Sequence, residues 1–319
     1  MRTADELIRI YIQDLKAALR GADKATIQDA LADAEEHLRT ALENAGADAG
    51  AKAETSAVQA IINEYGEAEE IAQAYKNWEV SLPPALASTP AARRVAATAN
   101  GDNPAAKKYP GFFGVFADPK AWGGLVFMLI SLVTGILYFT WAVTGLSVSL
   151  GLMILIFGVP IAIIFLLSFR GIAFLEGRLV EALLGERMPR RASFTDSSLS
   201  WKERLKILLT GKATWLSIIY MILMLPLGII YFTVMVTLLS VSISFTATPI
   251  GAIVMMAKDI PFDIFSSGDI VWTLSDPAGF LVTLLIAGLG FLIGTCTMHI
   301  ARWVGKVHGK FAKALLVSD

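Results

Sequence analysis

Through residues 1–80 apolar side chains recur every three or four positions, the period of a helix face turned towards a core. Leu7/Ile8, Tyr11, Leu15 and Leu19 form one stripe, and Ile27, Leu31, Ala34, Leu38 and Leu42 a second. Val58, Ile61, Ile62 and Tyr65 form a third, and Ile71, Tyr75 and Trp78 a fourth. Acidic residues fall between the stripes, which predicts a small helical bundle with a solvated outer face or a docking surface for a basic partner. Gly21, Gly46 and Gly66 stand where these helices would stop, since glycine takes the left-handed conformation past a helix end cheaply. Thr3 with Glu6, and Thr26 with Asp29, have the spacing of capping boxes.

The pattern changes beyond residue 108. Four stretches, 123–143, 146–169, 213–241 and 278–301, contain no Asp, Glu, Lys or Arg. Each reaches the about 20 residues that a helix needs to cross a ~30 Å hydrocarbon core. The expected fold is all-α: a cytoplasmic helical bundle over 1–80, a Pro-, Ala- and Ser/Thr-rich flexible linker over 81–108, and a four-helix transmembrane domain over 109–319. A tight turn around Gly145 would join the first two spans, and Pro160 and Pro226 would each kink a span.

The membrane half also repeats itself. Residues 135–149 read GILYFTWAVTGLSVS and residues 228–242 read GIIYFTVMVTLLSVS. At the same offset Trp122 pairs with Trp215 and Met128 with Met221. A second register pairs Gly158, Arg170, Gly177 and Arg178 with Gly290, Arg302, Gly309 and Lys310. Two tandem two-helix repeats are expected, entering the membrane in the same direction about an axis along its normal. The second copy carries extra sequence over 244–277, read as a short interfacial helix and an aromatic-acidic loop.

Composition agrees with a membrane chain: 55% of the residues are hydrophobic, 17% are charged, and mean hydropathy is +0.59. The net charge of −1 conceals an asymmetry, because residues 1–80 hold 8 Lys/Arg against 16 Asp/Glu and the remainder is basic. Basic residues flank one side of every span, which by the positive-inside rule puts both termini and the central loop in the cytoplasm. Segments 172–188, 201–209 and 302–316 read as basic amphipathic helices at the inner leaflet. Arg178, Arg187, Arg190, Arg191, Lys306, Lys310 and Lys313 are the candidate lipid contacts. In the outer loop Asp259, Phe262, Asp263, Phe265, Asp269 and Trp272 could receive a stimulus, or the loop could be a plain lid. Gly290 and Gly294 form a GxxxG pair suited to close helix packing, within one chain or between two copies in a homo-oligomer.

Catalytic chemistry finds no support. Cys296 is the single cysteine, which excludes an intramolecular disulfide and a cysteine-built zinc site. His37 has no second histidine nearby, and His299 reads as an interfacial residue or, less simply, a proton sensor. No cofactor, no metal and no nucleic acid is expected.

Two stretches resemble known families. The first helix residues Tyr11, Leu15 and Leu19, then Glu36-His37, then Gly66, Ile71, Ala72 and Tyr75 resemble the HAAS-type signalling domain. Ala68 departs from it, since proline is usual there. Asp118-Pro119, Trp122, Gly135, Gly158, Pro160, Arg170, Glu176, Arg178 and Gly185 resemble the "Putative sensor" domain found ahead of bacterial histidine kinases. The resemblance implies a bacterial inner-membrane sensor that reports by protein contact to a transcription regulator or kinase. The alternative is an accessory or lipid-handling subunit of a transport system. The charge pattern predicts that, in a Cys296→Ser background, cysteines at Ser88 and Ser197 are shielded from an impermeant thiol reagent while one at Ser267 reacts.

Overall fold

The computed structural model describes residues 4–44, 51–81, 111–152, 158–189, 210–258, 263–267, 270–273 and 277–317. Gly46, Arg190, Arg191, Asp259, Phe262, Asp269, segment 201–209 and the linker from residue 82 lie outside them. The chain divides into two compact units, Met1–Gly101 with Thr140–Ile222 and Gly309–Asp319, and Asp102–Phe139 with Leu223–His308.

In the first unit the helices α1 (Ala4–Ala18), α2 (Lys24–Asn44), α3 (Ala51–Tyr65) and α4 (Ala68–Ser81) form the head. The predicted stripes supply its core: Ile8, Tyr11, Leu15, Leu19, Leu31, Ala34, Leu38 and Val58 are buried, joined by Ile12, Ala30 and Ala72. Two glycines end helices as expected, with φ +87° at Gly21 and +113° at Gly66. The Gly66 turn is held from across the bundle, since the Tyr11 hydroxyl donates to its carbonyl at 2.9 Å. Tyr75 donates to Asp33 at 2.6 Å; burial and that bond push its phenol above the ordinary range. Burial pushes Tyr11 and Tyr65 up to about 12. One expectation is corrected here. Thr26 lies inside α2, and the cap is Asp23, whose Oδ1 accepts from the Ala25 amide at 2.8 Å.

The membrane helices are longer than predicted. Helix α5 (Pro119–Leu152) runs unbroken through Gly145, so no turn forms there. A Cβ at Gly145 would lie 2.7 Å from Phe165 Cδ1 on α6 (Gly158–Leu184), making this glycine a point of helix contact. Breaking the helix at that depth would strand amides where no water can satisfy them. Pro160 falls in the first turn of α6, where proline costs no intrahelical bond.

Helix α7 (Lys212–Ala257) has 46 residues, includes Pro226 and Pro249, and extends about 70 Å, roughly twice the bilayer core. The separate interfacial helix expected after residue 248 is therefore the end of α7. The strands β1 (Asp263–Ser267) and β2 (Ile270–Thr273) then form an antiparallel hairpin before α8 (Pro277–Leu316). Among the described residues three helices are long and apolar enough to cross a membrane: α5, α7 and α8.

Within the second unit, α5 and α7 meet at glycines. A Cβ at Gly135 would lie 2.5 Å from the Met224 carbonyl oxygen, and one at Gly228 would lie 2.3 Å from that of Ser131. The two contacts are reciprocal, since the offset that aligns the repeated sequences carries Gly135 onto Gly228 and Ser131 onto Met224.

Two outcomes follow. Gly135→Ala and Gly228→Ala should each lower the melting temperature in detergent, by about 1–3 kcal/mol of overpacking; Gly288→Ala, with nothing within 4 Å, should not. The isolated head should lose helical signal as pH rises from 10 through about 12, because phenols with raised pKa stabilise the fold only while protonated.

Candidate functional site

A cluster of polar contacts gathers where the head meets helix ends of the same unit. Helix α6 stops at Gly185, with φ +70°, and the chain turns through Met188, which is 1% exposed. Arg178 builds that turn. Its guanidinium donates to the Met188 carbonyl at 3.0 Å and to that of Pro189, pairs with Glu181 at 2.7 Å, and stacks over Phe174. Five donors in a rigid fork suit arginine to this clamp, where lysine would reach one partner. The clamped turn carries Glu186 against Gly309 of α8 and brings Arg187 Nη2 within 3.9 Å of Asp29 Oδ2 in the head. Close by in sequence to Gly309, Lys313 pairs with Asp23, the cap of α2.

A buried acid–phenol pair supports the same region. Glu176 is 1% exposed, and its Oε1 accepts from the Tyr220 hydroxyl at 2.8 Å. Tyr220 packs on Phe311 at 5.8 Å between ring centroids, so α6, α7 and α8 are tied together beside the seat.

The second unit holds its own polar contacts. Asp118 caps α5 through the Lys120 amide at 3.0 Å and pairs with Arg302 at 3.0 Å. His299 donates from Nε2 to the Phe112 carbonyl at 2.9 Å and stacks on that ring. His308 is fully buried, 3.3 Å from the Tyr231 hydroxyl through Nδ1, with its ring 4.7 Å from Phe127.

The predicted site residues divide. Arg178 is spent on its own turn, and Arg187 and Lys313 face the head; Lys306 and Lys310 are exposed. Arg190 and Arg191 lie outside the described residues, as do Asp259, Phe262 and Asp269. Of the outer loop, the hairpin sets Phe265 opposite Trp272 and Asp263 opposite Thr273. Gly290 and Gly294 are contact points with α7: Cβ atoms there would lie 2.5 Å from the Thr246 amide nitrogen and 2.6 Å from Ser242 Oγ. Sequence reading missed the roles of Glu176, Tyr220 and His308. His308 was legible in principle, since it falls on one face with Val304 and Phe311, while Val307 is 47% exposed. Among the described residues no group of three His, Cys, Asp or Glu could hold a metal ion.

Three apolar helices of membrane-crossing length mark a multi-pass membrane protein. The Sensor family, described as "Putative sensor", matches residues 127–316, more than half of the chain, and the HAAS family matches residues 11–74. The chain belongs to the Sensor family and carries a HAAS domain ahead of it. No curated protein and no solved structure matches it.

Tyr220→Phe leaves the buried Glu176 short of a donor and should cost about 1–3 kcal/mol. The check is thermal unfolding of the full chain in detergent.

Proposed function

We propose that this chain is a non-enzymatic bacterial membrane sensor whose apolar helices receive an envelope or membrane stimulus and whose HAAS head passes it on by protein contact. One observation carries the reading. A head with a closed core of its own is held to the ends of α6 and α8 by Asp29–Arg187 and Asp23–Lys313. A change in how those helix ends lie alters the head's attachment directly, without a catalytic step. The Asp23–Lys313 pair and the basic residues of α8's last turns support a cytoplasmic side for both the head and the end of α8.

The reading includes α6 as a fourth crossing and the membrane half as a duplication. Two sets of contacts support it. Gly135 with Met224 and Gly228 with Ser131 are equivalent under the first sequence register. Phe127 with His308 and Tyr220 with Glu176 are equivalent under the two registers together. Contacts that recur in this way are those of a two-fold arrangement of like units.

The partner is a regulator or kinase, with lipids as surroundings. Residues 1–80 expressed alone should be soluble and helical by circular dichroism, though a core of that size is only marginally stable. Native-membrane copurification with the full chain should recover a signalling protein. An unfolded head under all conditions, or recovery of transporter subunits alone, would sink the reading.

A further inference from the structure

We infer that the start of α2 is the head's recognition surface for a cationic protein partner, and that the end of α8 and the turn after α6 occupy it in the resting chain. This rests on the signalling reading above and names the partner's chemistry and its control.

The start of α2 is shielded from solvent. Ala25 and Thr26 are 0% exposed, yet neither belongs to the apolar core shared by the four head helices. What the structure brings to this end of α2 is a pair of cations, Lys313 at Asp23 and Arg187 at Asp29. Both pairs are partly buried, with side-chain exposures of 17% and 25% for the first and 19% and 11% for the second. Shielding of that degree makes them stronger than ordinary surface pairs. The remaining contacts are incomplete. Thr26 Oγ1 and Arg187 Nε and Nη1 are buried without a hydrogen-bond partner, and the 3.9 Å approach of Arg187 to Asp29 exceeds hydrogen-bond length. Buried donors left unused raise the free energy of the docked state, so a competitor that satisfies them displaces the body.

The surface therefore selects a partner that presents one cation to Asp23 and another to Asp29, the arrangement its own chain supplies. While the helix ends hold it, such a partner is excluded. A stimulus that shifts α6 against α8 separates the two cations and frees the surface, because each carboxylate is held from a different helix.

The test uses the full chain in detergent with Cys296→Ser. Spin labels at the exposed positions Gln59 and Lys310 report docking as a distance distribution. Asp23→Lys and Lys313→Asp should each raise the undocked fraction about tenfold, and the two together should restore the wild-type distribution. A synthetic peptide of residues 302–316, used as the cationic probe, should bind the Lys313→Asp chain about tenfold more tightly than wild type. Unchanged distances in both single variants, or a combined variant that stays undocked, would overturn the inference; so would equal peptide affinities. A head that lacks helical protection in wild type by hydrogen exchange would instead sink the signalling reading itself.

Discussion

Helices in hydrocarbon gain nothing by hiding apolar side chains from one another, since lipid tails are as apolar as leucine. What remains to hold them is close backbone approach, and the membrane helices depend on it. Gly124, Gly135, Gly228 and Gly290 each stand where a Cβ would fall within 2.5 Å of another helix's backbone, and Gly145 performs the same office against Phe165. Such contacts tolerate no side chain and little sliding. They also leave large apolar side chains such as Leu137, Leu150, Leu285 and Ile250 facing outward, as a lipid-facing surface requires.

The head follows the opposite rule. It is built in water, its apolar stripes drive it together, and its two long-range phenol bonds, Tyr11 to Gly66 and Tyr75 to Asp33, fix how α1 and α4 close on their neighbours. Where head and helix ends meet, neither rule suffices. The joint is made by charge, and charge in a half-shielded setting responds to salt and to small displacements. A domain attached in this way can be rigid in itself and loosely committed to its seat.

Much of this was legible in the chain, and the misses have physical causes. The head's four stripes and its Gly21 and Gly66 stops were plain because periodicity and a positive φ are local demands. Its cap was misassigned because Asp23 and Thr26 are both good caps three residues apart, and only the surrounding packing chooses between them. Gly145 looked like a turn because glycine in water usually marks one, whereas in lipid it marks a contact. The reach of α7 past Pro249 escaped notice because proline in a long apolar helix is tolerated there more readily than in soluble ones. The seat was visible only as two opposite charge excesses. Which carboxylate meets which cation is set by the Arg178 clamp and the end of α8, and nothing local announces either.

Under the duplication proposed above, the reciprocal contacts of Gly135 and Gly228 bear on ancestry. A single hairpin carrying one such glycine can satisfy it only against a second copy of itself, as a homodimer whose every substitution appears twice. Joining two copies in one chain keeps the pair together at any dilution and removes that constraint. Each half is then free to specialise. Under the proposed duplication, Glu176 with Tyr220 and His308 with Phe127 are where the halves differ, one with an acid beside a phenol and the other with an imidazole beside a plain ring.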